Sequence, residues 1–359
     1  MELITRRKFH KLSGLTLLGM TLPHIPSSVM GNIPKIKMGQ FGTTHSHASG
    51  KMEALRKLDD VFDIVGIVES DPERRKDVTQ DKAYQDLTWM TEEQLFNVPG
   101  LQAVAVETEV DELLPVAERC IKAGLHIHLD KPPGKSIARL KQLLARARTK
   151  NLTVQMGYMF RYNPAFQFCM EAVHKGYLGD IFEVDGVISK TINKQTRIEL
   201  TSTYTGSMML LGCHLLDMVI AILGKPENMY SYRKRTLPDH DSLFDNELII
   251  CEYPNAIASV RSALVEVEGW VRRQFVVCGT EGTIEIKPLE PPQLKLALDR
   301  AKGEFKAGYQ TITLPESSGR YDDQLRDFAE MIRGNKTLDF SMDHDLLVHE
   351  LLLKASELI

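Results

Sequence analysis

The sequence holds no paired-cysteine motif. Its five cysteines, Cys120, Cys169, Cys213, Cys251 and Cys278, never fall at a C-x-x-C spacing, which removes zinc-ribbon and thioredoxin-type chemistry. Most stand within apolar runs and are expected as core positions, where free thiols are common. No long basic run is present, and the formal net charge is −4 with a pI near 6.3, so nucleic acid is not an expected partner. Internal repeats and low-complexity segments are lacking as well. What is present is an ordinary globular composition, 43% hydrophobic and 26% charged, which can bury a core of normal size. The 359 residues suffice for about two domains.

The first residues differ in texture from the rest. Thr5-Arg6-Arg7-Lys8-Phe9 precede an apolar stretch at 12–22, followed by Pro23, Pro26 and Ser27-Ser28. Twin arginine, phenylalanine and a short apolar core, in that order, form a Tat-type export signal. The apolar stretch is far below the ~20 residues a membrane span needs. No cysteine stands near its end to take a lipid, so no stable membrane anchor is expected. Residues 1–32 are therefore set apart as a signal segment, and the mature protein is expected to be periplasmic or otherwise extracytoplasmic. The Tat route carries folded proteins, which suits an enzyme that takes up its cofactor before export.

From residue 33 to 153, strand-like and helix-like segments alternate. Strands are expected at 36–41, 62–68, 101–106 and 125–129, with another beginning at 153–156; helices are expected at 48–58, 111–123 and 137–150. That rhythm predicts an α/β domain, a doubly wound parallel sheet of the Rossmann kind with helices on both faces. From 154 to 359 the text changes. Strands at 182–189, 246–253, 256–266, 272–278 and 282–287, several joined by short turns such as Pro254-Asn255, predict an α+β domain with a mostly antiparallel sheet. A final helix at 343–358 closes the chain and can pack back on the first domain.

A strand, a glycine turn and a helix open the first domain, the layout of a dinucleotide site. Gly42, Thr43, Thr44 and His47 line the turn, where a helix N-terminus can face a pyrophosphate. Glu69 ends the second strand, placed to bind ribose hydroxyls and disfavour a 2′-phosphate, so NAD is preferred over NADP. The fingerprint is incomplete: with Gly42 first, Thr44 holds the second glycine position, and the third falls near His47.

Three more segments sharpen the reading: His126 to Ser136 with Asp130-Lys131-Pro132, Met156 to Phe166 with Arg161-Tyr162, and Gly212 to Pro226 with His214 and Asp217. Together with the opening turn and Glu69 to Arg75, this ordered set resembles the Gfo/Idh/MocA (glucose–fructose oxidoreductase / inositol dehydrogenase) family over about residues 34–355. The resemblance implies that Lys131 and His214 face the nicotinamide as the catalytic pair. It implies that Pro132 sits in a cis turn aiming the lysine, and that Glu107 and Asp130 belong to the cofactor crevice. It places Arg161, Tyr162, Asn163 and Asp217 at the sugar pocket, although an aspartate in Asp217's setting more often braces than reacts. Residues near Lys190 and Asn193 are expected to add to that pocket. The implied chemistry is sensible, since an imidazole can take a hydroxyl proton while an ammonium stabilises the alkoxide. A homodimer or homotetramer and a carbohydrate or polyol substrate are implied too.

The chain also departs from the family. Leu210 stands where an aspartate commonly precedes the histidine by four residues, and Glu107-Thr108-Glu109 replaces the usual T-P-N segment. His45, His47, Glu107, Glu109, His128 and Asp130 thus gather at strand ends that share one crevice. His45, His47, Glu107 and Glu109 could hold a divalent metal. The alternative reading is therefore a non-redox or metal-assisted lyase, hydratase or glycosidase-like enzyme on the same fold. A sugar-binding protein without catalysis is the weakest reading, because Lys131 and His214 are both retained.

Overall fold

The computed structural model describes residues 33–359; the expected signal segment lies outside the described residues. The first sheet is built from β1 (Ile36–Phe41), α1 (Ala48–Lys57), β2 (Phe62–Val68), α2 (Pro72–Val78), α3 (Glu92–Phe96), β3 (Ala103–Val106), α4 (Val110–Ala123), β4 (His126–Leu129), α5 (Ile137–Thr149) and β5 (Val154–Met156). All its pairings are parallel, in the order β2-β1-β3-β4-β5. β3 reads Ala-Val-Ala-Val and is buried throughout, as a central parallel strand covered on both faces must be. α4 buries Val110, Leu113, Leu114, Ala117, Cys120 and Ile121 at helical spacing and stops at Gly124, whose φ of 86° suits glycine. A single parallel bridge from Ile67 to Trp89 lies outside the named strands, where a doubly wound sheet would carry its next strand on that edge. The strand order reverses between β1 and β3, and ligands bind at such a switch point, beyond the strand C-termini.

β5 completes this sheet, pairing Ile127 with Val154 and Leu129 with Met156. The first sheet therefore runs on to Met156, three residues past 153. A three-residue strand carries too little alternation to mark its own end.

The second half continues with a 3-10 turn (Met159–Tyr162), α6 (Pro164–His174), β6 (Ile181–Ser189), α7 (Lys194–Thr203), a π-helical turn (Met208–Gly212) and α8 (Cys213–Leu223). β7 (Asn228–Lys234), β8 (Asn246–Glu252), β9 (Ile257–Ala263), α9 (Gly269–Arg272), β10 (Gln274–Gly279), β11 (Gly282–Leu289), β12 (Pro292–Leu298) and β13 (Gly308–Ile312) follow, and then α10 (Asp322–Ile332) and α11 (Met342–Ala355). The second sheet runs β13-β12-β11-β10-β6-β9-β8-β7 and is antiparallel except between β6 and β9. β7, β12 and β13, at or next to its edges, were not expected. β7 is rich in polar residues, and β12 opens on a proline, both common at sheet margins.

α8 lies on the inner face of this sheet. A Cβ at Gly186 of β6 would stand 3.0 Å from Leu215 Cδ1, so the missing side chain sets the close approach. α10 lies along β5, with Gln155 Nε2 donating to the Gln324 carbonyl and Gln324 Nε2 to the Met156 carbonyl. Lys35–Ile359 thereby forms one compact unit. Among the described residues, no helix is long and apolar enough to cross a membrane.

Candidate active site

The turn after β1 is fixed by backbone geometry. Gly42 has φ +78°, and a Cβ there would meet Thr108 Cα at 2.7 Å. Glu69 then organises the loop: its Oε2 accepts from Thr43 N at 3.0 Å and Thr43 Oγ1 at 2.8 Å, and its Oε1 from Asp71 N at 3.1 Å. A carboxylate offers about four acceptor sites, so one direction stays open to a ribose hydroxyl. Arg74 lies across the same loop, donating to the Thr43 carbonyl at 2.6 Å and to its hydroxyl at 3.2 Å. Thr44 is exposed.

Beneath the turn sits a buried ionic cluster. Asp130 lies 3.1 Å from His45 Nδ1, 3.2 Å from His47 Nδ1 and 2.7 Å from Lys51 Nζ. Lys51 also reaches Glu107 at 3.1 Å, and His45 approaches Glu107 at 3.8 Å. Burial opposes ionisation of Asp130, but His45, Lys51 and His47 outweigh it and hold its pKa well below the usual range. Glu107 goes the other way, pushed well above the usual carboxylate range by burial and by Asp130. Burial lowers His47 to about 3 against the pull of Asp130. The cluster therefore centres on the Asp130–Lys51 pair.

His45, His47 and Asp130 offer ligand atoms within 4.8 Å of one another. Glu109, expected with them, is exposed at the start of α4; its side chain turns to solvent because the strand has already ended. Lys51, which no motif announced, puts a positive charge where a metal ion would need to sit near Asp130. His128 also leaves the expected group: its Nδ1 pairs with Gln155 Oε1 at 2.8 Å and its ring packs near Phe328, because strand alternation sends it toward α10.

Lys131 and His214 meet at the crevice. Lys131 is buried, its peptide to Pro132 is cis, and its Nζ donates to the Leu210 carbonyl at 2.9 Å. That carbonyl belongs to the π-helical turn four residues before His214. The imidazole of His214 lies among aromatic walls, with ring centroids 5.2 Å from Phe160, 5.9 Å from Tyr158 and 6.3 Å from His47. Burial, then the charge of Lys131, keeps its pKa well below the ordinary imidazole value. Among the described residues, His214 Nδ1 and Tyr158 Oη are buried without a protein partner, and buried polar groups ordinarily have one. These two orphans and the open side of Glu69 fit a polar ligand with an adenosine end at β2 and a reacting end at α8.

Arg161, expected at the sugar, is engaged elsewhere. It donates to Asp217 Oδ2 at 2.8 Å and Oδ1 at 2.6 Å, and to Asp345 Oδ1 at 2.6 Å; His344 closes on Asp217 at 2.8 Å. Its guanidinium also lies 4.2 Å from the Phe340 ring centre. These bonds commit Nε and Nη2 of Arg161 to two buried carboxylates. Asp217 is thus a brace. Tyr162 donates to Asp327 at 2.6 Å, while Asn163 caps α6 through Ala165 N and donates to the Leu289 carbonyl at 3.0 Å. A cavity of about 530 Å³ lies near Gln167, Phe168 and Phe305, apart from all these groups.

Residues 36–158 match the oxidoreductase family with an NAD-binding Rossmann fold, and residues 166–285 match the GFO/IDH/MocA C-terminal domain. The chain belongs to the Gfo/Idh/MocA oxidoreductase family. The first match assigns NAD as the cofactor of the Rossmann domain. Family relatives include the uncharacterized oxidoreductase YhhX of Escherichia coli K12, 26% identical over 60% of this chain. The trans-1,2-dihydrobenzene-1,2-diol dehydrogenase of Bos taurus is 23% identical over 64% of it. The matched region spans 59% and 65% of those relatives' own lengths. The aldose-aldose oxidoreductase of Caulobacter crescentus superposes with a TM-score of 0.75 at 18% identity, over 90% of this chain and 98% of that one; at that identity it shows the shared fold alone.

Proposed function

We propose that this Gfo/Idh/MocA chain is an NAD-dependent oxidoreductase acting on a secondary alcohol of a sugar, glycoside or cyclitol. The observation that carries the reading is the convergence of Lys131 and His214 at the strand C-termini, with Lys131 Nζ held by the Leu210 carbonyl. NAD, when bound, supplies the carbon that accepts hydride. Glu69 with Thr43 would hold the adenosine ribose, and Asp130 and Pro132 shape the backbone carrying Lys131. His214, its pKa held well below the ordinary imidazole value by burial, can take the hydroxyl proton on its imidazole. The Lys131 ammonium stabilises the oxygen as it gains negative charge. Tyr158 and Phe160 exclude water from that point.

The grouping of His45, His47 and Asp130 supports a second, metal-assisted reading. The Lys51 ammonium 2.7 Å from Asp130 weighs against it, so the redox reading leads. Export by a Tat-type signal, an extracytoplasmic location and a homodimer or homotetramer belong to the same proposal. The Arg6-Arg7 segment supports the first two, and exposed Tyr230, Tyr232 and Ile257 on the second sheet support the third.

The test is direct. Purified full-length protein is denatured without prior dialysis, and the released small molecules and metals are identified by mass spectrometry. Stoichiometric NAD(H) without metal supports the dehydrogenase reading; a divalent metal with no nucleotide defeats it.

A further inference from the structure

Resting on the reading of the Lys131–His214 crevice as the reacting centre, we propose that the substrate carries an oxyanion, a carboxylate or phosphate on its polyol frame, seated among Lys190, Arg273 and Arg320. These residues come from three separate stretches. Lys190 follows the end of β6, Arg273 follows α9, and Arg320 precedes α10. Their assembly is built into the fold. Gly269 lets α9 sit directly on β6, since a Cβ there would lie 2.9 Å from the Ser189 carbonyl carbon and 3.1 Å from Lys190 N. Arg273 then donates from Nε to the Ser189 carbonyl at 3.1 Å and stacks on Trp270, 3.4 Å from its ring centre.

One carboxylate serves both arginines. Glu290 lies 3.6 Å from Arg273 Nη1 and 3.1 Å from Arg320 Nε. The buried Nη2 of Arg273 has no partner among the described residues. Arg320 Nε also donates to Met159 Sδ at 3.0 Å, between Tyr158 and Phe160, whose rings flank His214, which places the group beside the reacting centre. Arg273 and Arg320 therefore share a single carboxylate, and the charges of both, with that of Lys131, act on Lys190. The other nearby acids are committed: Asp130 to Lys51 and the histidines, Asp217 and Asp345 to Arg161. Burial and the neighbouring positive charges push Lys190 down to about 8. Gathering cations against desolvation and mutual repulsion is costly unless an anion completes the set. Arginine forks suit the planar carboxylate or the phosphate group. A neutral sugar could use the same donors but would leave the excess charge unopposed.

The experiment measures kcat/KM of the holoprotein by nicotinamide reduction with glucuronate, glucose 6-phosphate and glucose, alongside Arg320→Met and Lys190→Met. Charge-assisted hydrogen bonds lead to an expected preference of about tenfold or more for an oxyanion-bearing sugar over glucose. That preference narrows in both variants. Arg320 is partly exposed, so its variant is expected to fold. Preference for glucuronate assigns a carboxylate; preference for the phosphate ester assigns a phosphate. Equal or better use of glucose, or a preference unchanged in both variants, overturns the proposal. If no sugar is turned over, calorimetry decides: binding of either anion but not glucose upholds the pocket while defeating the oxidoreductase reading, and binding of neither anion overturns it.

Discussion

Lys131 Nζ lies 2.9 Å from the carbonyl oxygen of Leu210. The acceptor is a backbone carbonyl and not a carboxylate. It positions the ammonium without neutralising it, so Lys131 keeps its full positive field toward the reacting oxygen. It brings no carboxylate of its own to His214, where burial and the charge of Lys131 outweigh the pull of Asp130 and hold the pKa well below the ordinary imidazole value. Replacing Lys131 by Met is expected to lower kcat about 10²–10³-fold, the usual cost of losing one charge-stabilising donor. NAD affinity, read by fluorescence titration, should hold. An active Lys131→Met protein would remove the lysine from the mechanism.

The pH profile separates the two bases of the pocket. Burial keeps His214 below its ordinary range, so its neutral form prevails throughout and kcat should show no imidazole limb near pH ~6.5. Lys190, facing Lys131, Arg273 and Arg320, with Glu290 shared by the two arginines, loses its proton near pH 8. With an anionic substrate, kcat/KM should therefore decline above about pH 8, and Lys190→Met should erase that limb. Stopped assays from pH 5 to 10 would check both.

The buried cluster makes a stability prediction. Lys51→Met removes the buried ammonium that balances Asp130 and leaves it only the two histidines and the Lys131 N–H, expected to cost about 3 kcal/mol. Glu107→Gln should cost less than about 1 kcal/mol, because Glu107 is held protonated and glutamine keeps its shape and donors. Urea unfolding monitored by circular dichroism measures both. Equal losses would mean that Glu107 is ionised.

Chelation should be without effect. With Lys51 occupying the cationic position against Asp130, overnight treatment with EDTA is expected to leave turnover unchanged. Loss of activity restored by zinc or manganese would favour the metal-assisted reading.

Arg161 should behave as a brace. Arg161→Met strands Asp217 and Asp345 and is expected to destabilise by about 3–5 kcal/mol, while the folded fraction keeps its substrate KM. A large rise in KM at unchanged unfolding midpoint would return Arg161 to the sugar pocket.

Much of this architecture was legible in the chain itself. The parallel sheet followed from buried runs such as Ala103–Val106 alternating with helices, and Lys131 and His214 followed from ordered segments that resemble a family. Other parts were hidden for physical reasons. Lys51 looks like any lysine on an amphipathic helix; only the fold brings Asp130 and Glu107 beneath it. Arg273 and Arg320 are 47 positions apart in the numbering and become neighbours through Glu290. The partners of Arg161, Asp217 and Asp345, were hidden because a family motif gives the position of a residue but not the groups that claim its donors.

The Arg161–Asp345 contact joins residues 184 positions apart, and the whole second sheet is synthesised between them. Closing so long a loop carries an entropic cost that only a folded intervening sheet can offset. The helix bearing His214 is tied through Asp217 to that closure. Loss of the second sheet is therefore expected to free α8 and unlock His214, so that activity and the folded signal should disappear together when both are followed through urea unfolding.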